Sequence, residues 1–111
     1  MNPLKECTMT TARLTAGTNK NERRIWIEGY INPAVDGLKF HTPLFRTMND
    51  DGSMTLSTTP DPEVKQRKHK VVGKPGRELI DLSGKWVTAF MGGHRDFIAD
   101  ISPAGIVITP C

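Results

Sequence analysis

Aromatic residues are scarce in this chain, with two Trp, one Tyr and four Phe among 111 residues. Its core must therefore be built mainly from aliphatic side chains, and at 37% hydrophobic residues it cannot be large. Long apolar runs are missing as well. The longest, such as Ile106-Val107-Ile108, fall far short of the roughly 20 residues needed to span a bilayer, so no membrane crossing is expected. There are only two cysteines, Cys7 and Cys111, both outside every segment that looks structured. A bridge would have to tie two frayed ends together, so both are expected to be free thiols in a reducing compartment. The first 21 residues hold scattered Thr, Asn and Lys without an apolar stretch of signal length, which predicts a flexible tail and a cytoplasmic protein. Metal-ligand spacing is absent around His41, His69 and His94, and His94-Arg95-Asp96 is too close-set for one metal on regular backbone. No metal and no other cofactor is expected.

Acidic residues are missing from one particular place. Between Lys65 and Arg77 the chain carries Lys65, Arg67, Lys68, Lys70, Lys74 and Arg77 with no Asp or Glu, while Asp50, Asp51, Asp61 and Glu63 gather just upstream. The net charge of +3 is mild, but charge is segregated along the chain, and an uncompensated basic run suits a polyanion or an acidic protein partner.

A length of 111 residues suits one domain, and the periodicity makes it β-rich. In Arg23 to Ile31, the residues Ile25, Ile27, Gly29 and Ile31 alternate with Arg24, Trp26, Glu28 and Tyr30, which predicts a strand. Asn32-Pro33 and Asp36-Gly37 turn the chain, and a second strand is predicted over Leu38 to Arg46. Leu44 to Met48 and Ser53 to Thr58 flank Asn49-Asp50-Asp51-Gly52 as a hairpin. Pro60 to Lys70 has too little hydrophobicity to hold itself in place, so a mobile basic loop is predicted over about 60–77, with Gly73 to Arg77 as a turn. Glu78 to Leu82 predicts a strand. Ser83 then stands as an N-cap before a two-turn helix over Lys85 to Met91, which Gly92-Gly93 ends. Asp96 to Asp100 and Gly105 to Thr109 form the last hairpin around Ser102-Pro103-Ala104-Gly105. The expected organisation is a tail over 1–21 and a domain over 22–111, mostly β with one short helix.

Three stretches carry a resemblance: Arg23-Arg24-Ile25-Trp26-Ile27-Glu28-Gly29-Tyr30, then Leu79-Ile80-Asp81-Leu82-Ser83-Gly84-Lys85-Trp86-Val87, then Gly105-Ile106-Val107-Ile108-Thr109-Pro110. Their pattern of a basic strand, Leu-x-Gly-x-Trp, a short helix and a Gly-led final strand resembles the SymE-like toxins of type I toxin–antitoxin modules. The fold of that family is similar to the AbrB swapped-hairpin DNA-binding domains. The match covers about the last 33 residues and one isolated strand. The chain departs from the pattern at Met91-Gly92-Gly93-His94, where the family has Gly-Phe, and in its Tyr30 to Gly76 segment. The resemblance implies a homodimer of interleaved hairpins, a basic surface that contacts RNA or DNA, and toxicity associated with RNA loss, but no catalytic residues to carry across. The residues by themselves also allow a small β-barrel.

The residues expected to contact nucleic acid are Arg23, Arg24, Lys65, Arg67, Lys68, Lys70, Lys74, Arg77 and Lys85, whose charges could neutralise phosphates. Trp26 and Tyr30, opposite Ile25 and Ile27, would make a base-stacking platform beside Arg24 or else pack in a core or interface. Trp86, four residues from Phe90, is expected in the core. His94 with Asp96, or His41 with Asp50 or Asp51, could be drawn as an acid–base pair for RNA cleavage. Three functions fit: a SymE-like nucleic-acid-binding toxin acting on RNA, a phage- or plasmid-type single-strand binder built on a small barrel, and a non-enzymatic adaptor or inhibitor.

Overall fold

A computed structural model describes residues 10–111. Ten strands and two helical segments follow one another: β1 (Thr10–Thr15), β2 (Gly17–Asn19), β3 (Glu22–Glu28), α1 (Pro33–Asp36), β4 (Pro43–Met48), β5 (Met54–Ser57), β6 (Arg67–Lys70), β7 (Val72–Lys74), β8 (Arg77–Ser83), α2 (Lys85–Met91), β9 (Asp96–Ser102) and β10 (Gly105–Pro110). The fold is mostly β, with α2 as its one helix of more than a single turn. The strands form two antiparallel sheets ordered β1-β9-β10-β5-β4-β6 and β2-β3-β8-β7.

Two strands bend from one sheet into the other. β1 continues into β2 at the buried Ala16, whose amide donates to the Arg95 carbonyl at 2.8 Å. β6 continues into β7 at the fully buried Val71, which exchanges backbone bonds with His41 and Thr42. Because β1 and β6 are the outer strands of one sheet and β2 and β7 those of the other, the two bends close the strands into a ring, a small flattened barrel. Its interior is aliphatic, as the composition requires: Ile25 and Ile27, Leu44, Met54 and Leu56, Ile80 and Leu82, Ile101, Ile106 and Ile108, with Phe97 as the one fully buried aromatic ring. The α2 residues Val87 and Met91 are buried with them.

The predicted strands of the C-terminal third, the β4–β5 hairpin and the helix lie close to where the alternation places them. β3 ends at Glu28, short of Ile31, and β4 starts only at Pro43, because α1 and its Asp36 reshape the intervening chain. The buried Asp36 carboxylate accepts from the Asn32 and Leu38 amides at 2.9 Å each, which seats Leu38 in the core outside any strand.

Three expectations are corrected. The part of the N-terminal tail from Thr10 to Asn19 is strand; its inward residues Ala12, Leu14 and Ala16 are small or single, so the apolar signal is weak, and the segment is held instead by polar ties to β9. Thr11 Oγ1 donates to Asp100 at 2.8 Å, Thr15 Oγ1 to Asp96 at 2.9 Å, and Arg13 pairs with Asp96 at 3.2 Å. Cys7 lies outside the described residues. The basic segment is likewise not one loop. Arg67–Lys70 pairs with β4 and Val72–Lys74 with β8, because ladder bonds use the backbone and do not require apolar side chains on both faces. Even Asp61 to Gln66 is tied down: Gln66 Oε1 accepts from the Asp61 amide at 2.9 Å and its Nε2 donates to Thr47 Oγ1 at 2.8 Å. Finally, Ser83 belongs to β8 and Gly84 is the N-cap, with a φ of 123° and no side-chain cap. The helix is fastened from its middle instead, where Thr88 Oγ1 accepts from the Arg23 amide at 2.8 Å and donates to Glu22 at 2.7 Å.

Candidate nucleic-acid interface

Register sorts the basic residues by face. β4 and β6 pair Leu44 with His69 and Arg46 with Arg67, so these four share the inner face of the sheet edge, while Phe45 and Lys68 face outward. Leu44 is fully buried, but Arg46, Arg67 and His69 lie toward the end of the strands that α2 approaches. There Arg46 and His69 meet Trp86, and this is where the fourth correction falls. The core-facing residues of α2 are Val87 and Met91, whereas Trp86 and Phe90 are half-buried against the core's margin.

The Arg46 guanidinium carbon lies over the Trp86 ring, 3.6 Å from its centroid, and the His69 ring sits 5.7 Å from the same indole at a 31° tilt. Arg46 Nη1 and His69 Nε2 are 3.1 Å apart. Arginine has only donors, so His69 Nε2 must be the acceptor and its proton resides on Nδ1. Burial, and then the Arg46 charge, hold the His69 pKa below its ordinary value, which keeps the ring neutral and preserves this bond. Burial, with the charge of Arg67 behind it, also lowers the pKa of Arg46, although a guanidinium stays cationic throughout the physiological range.

Around this stack the surface is concave. A depression of about 430 Å³ is lined by Arg46, Arg67, Lys68, His69 and Trp86. A second of about 480 Å³ shares Arg46 and Arg67 and continues past Lys65 and Gln66 to Met48 and Val64, two of the most exposed large apolar side chains among the described residues. Together they form one groove with a basic rim, a planar stacked cation and an apolar shelf. The three ion pairs among the described residues are Arg13–Asp96, Arg24–Asp81 and Arg77–Glu28. Arg46, Lys65 and Arg67 therefore line the groove without a carboxylate partner, and Lys68, on the outward face of β6, stands at its rim equally unpaired.

The remaining expected residues lie elsewhere. Arg24 and Arg77 are on the outer face of the β3–β8 sheet, each neutralised by its acid at 2.9 Å. Trp26 stands between them, 38% exposed, with the Arg24 guanidinium 4.3 Å from its ring centroid and its Nε1 donating to Glu28 at 3.1 Å. It lines a separate cleft of about 350 Å³ with Leu79, Gly73, Lys74 and Arg77. Tyr30 is 41% exposed beyond the end of β3. Arg23 is half-buried beside α2, Lys85 is exposed at the helix start, and Lys70 is exposed at the end of β6. Neither drawn acid–base pair is bonded: Asp96 is engaged by Thr15 and Arg13, Asp51 by Ser53, and the His41 ring leans against Phe40 at a 44° tilt with centroids 3.8 Å apart. No cluster of three or more His, Cys, Asp or Glu among the described residues could hold a metal, and no helix there is long and apolar enough to cross a membrane.

The sequence alone marks neither Arg46 nor His69 as a site residue, and it predicts Trp86 in the core. Arg46 is a single charge in an apolar strand, and only its register opposite Arg67 reveals that it joins the basic segment. Set beside known protein families, curated proteins and solved structures, the chain shows no significant match to any of them.

Proposed function

We propose that this protein binds single-stranded nucleic acid in the groove between β6 and α2. The observation that carries the reading is Arg46, held over the Trp86 ring and bonded to His69, with Arg67, Lys68 and Lys65 around it and no carboxylate to neutralise any of them. A guanidinium fixed in this way is preorganised. Its edge can take a phosphate oxygen, and a base can lie against the stack or on the Met48–Val64 shelf. Unpaired bases present flat apolar faces to such a shelf, which a duplex does not, and the barrel suits this use. The protein on this reading is a binder with no catalytic step of its own.

A second reading is the SymE-like toxin acting on RNA as a homodimer. Its support is that the Leu82-Ser83-Gly84-Lys85-Trp86 stretch, which carries the resemblance, ends inside the same groove. One experiment addresses both: measure affinity for single-stranded RNA, single-stranded DNA and duplex DNA at two salt concentrations, and run the incubated RNA on a gel. Preference for single strands with a steep salt dependence and intact RNA is the expected result. Duplex preference or RNA cleavage would favour the toxin reading, and no binding at low salt would end both.

A further inference from the structure

The groove holds one of the two tryptophans and the cleft on the opposite sheet holds the other. A single bent strand joins them. β6 starts at Arg67 in the groove, passes Lys68 and Lys70, turns at Val71 and enters β7, whose Lys74 lines the Trp26 cleft. The register places Lys74, Arg77, Leu79 and Val72 on one face of β7 and β8, the face that also bears Trp26. Lys68, Lys70 and Lys74 have no ion-pair partner among the described residues, so unpaired positive charge runs the length of the connection. The cleft itself differs from the groove. It is lined by the Trp26 indole and Leu79 together with Glu28, whose carboxylate is taken up by the indole Nε1 and Arg77, while Arg24 beside it is already paired with Asp81. It is therefore poorly suited to attract a phosphate and well suited to take a flat, weakly polar ring delivered by a chain that the lysines hold.

We propose that the β6–β7 strand is a track along which one nucleic-acid strand passes from the groove to the Trp26 cleft, so that a base stacks at each end. This rests on the groove reading and adds to it a second stacking subsite and a length. Seven residue steps from Arg67 to Lys74 span at most about 23 Å, which matches a site within the range of about 4–16 nucleotides used by small single-strand-binding barrels. The ligand is thus an oligomer and not a mononucleotide, and affinity must rise with length until both ends are filled.

Since each tryptophan sits at one end, Trp26→Phe and Trp86→Phe leave a single reporter in each subsite. With oligothymidylates, a trinucleotide should change only Trp86 emission, whereas an oligomer of about 12 residues should change both. Trp26→Ala should weaken the long oligomer about tenfold and the trinucleotide less than twofold, a comparison that does not depend on the Trp86 variant folding. If the long oligomer alters Trp86 alone and Trp26→Ala binds it normally, the track is wrong and the groove stands. If a heparin oligosaccharide, a polyanion without bases, changes Trp26 emission as much as the long oligomer does, the cleft answers to charge alone and the stacking subsite is wrong. If neither oligomer binds at low salt, the groove reading fails and the track with it.

Discussion

Arg46 separates a structural role from a binding role more sharply than any other residue in the groove. Its guanidinium stacks on Trp86 at 3.6 Å and donates to His69 at 3.1 Å. The stack is worth about 0.5–2 kcal/mol and the hydrogen bond about 0.5–1.5 kcal/mol. Against these stand the desolvation of a half-buried cation and its repulsion from Arg67, both of which depress its pKa. The terms oppose one another, so Arg46→Ala should change the unfolding free energy by only about 1 kcal/mol. Binding should suffer more: removal of one fixed phosphate contact lowers the slope of log K against log salt by about 0.7 and costs about tenfold in affinity for a single-stranded oligomer. Arg46→Lys should keep the slope and still lose affinity, because an ammonium cannot lie flat on the indole or present a planar fork. Arg13→Ala removes a cation already paired with Asp96 on the outer face of the opposite edge, and should leave both quantities unchanged. Fluorescence anisotropy titrations at four salt concentrations, with urea unfolding alongside, give all the numbers. A fully folded Arg46→Ala protein with parental affinity and slope would refute the placement of the site.

Replacing Lys65, Arg67 and Lys68 together with Ala should lower the salt slope by about 2 while urea unfolding stays near the parent, and an unchanged slope would remove the β6 edge from the interface. Since the His69 pKa is depressed in the fold, the unfolded chain binds a proton at about pH 6.5 that the native one refuses; stability is fully present above that pH and declines as pH falls toward the folded value. The urea midpoint should drop between pH 7 and 5, and His69→Gln should flatten that decline, whereas Glu28, Asp51 and Asp96, whose values are also lowered, act only below about pH 4.5 for the glutamate and about pH 4 for the aspartates. Gly105→Ala should cost at least about 3 kcal/mol, since its φ of +135° is strained for any side chain and a Cβ there would lie 2.0 Å from the Leu56 carbonyl oxygen. Gly52→Ala, at φ +91° with nothing within 4 Å, should cost only about 1–2 kcal/mol, and equal melting temperatures for the two would contradict the close β5–β10 approach.

The elements that could be located in the sequence are those rich in large apolar side chains. β3 alternates Ile25 and Ile27 with Arg24, Trp26 and Glu28, so its inward face follows from period two, whereas β8, β9 and β10 are legible as short runs rich in Ile, Leu, Val or Phe that also carry apolar residues on their outer faces, as at Leu79, Ile98 and Val107. β1 and β6 fail this test for opposite reasons. β1 turns Ala12, Leu14 and Ala16 inward, which is too little apolar bulk to stand out among Thr and Arg, and β6 consists of Arg67, Lys68, His69 and Lys70 with no apolar residue at all. Both are outer strands of the larger sheet and both bend into the smaller one. Their position is dictated by backbone pairing to β9 and β4, a long-range condition that no local window of sequence contains.

The same condition explains why the basic segment is legible in the sequence while the residues at the centre of the groove are not. Counting charge from Lys65 to Arg77 treats six residues as equivalent, but the fold divides them by face and by partner. Arg77 is spent on Glu28, Lys74 belongs to the Trp26 cleft, and Arg67 and Lys68 reach the groove. The groove then takes its planar cation from β4 and its aromatic surface from α2, about 20 residues away on either side of Arg67. Trp86 looks like a core residue because a short helix needs an anchor and tryptophan is the largest apolar side chain available. Val87 and Met91 meet that need, supported by the Thr88 bonds to Arg23 and Glu22, and this leaves the indole at the margin of the core. A half-buried tryptophan beneath an arginine that has no acid is an arrangement the barrel's stability does not require, since Phe97 and the isoleucines already fill the interior. Burial and the neighbouring Arg67 both disfavour the charged form of Arg46, and an anion placed in the groove would offset both.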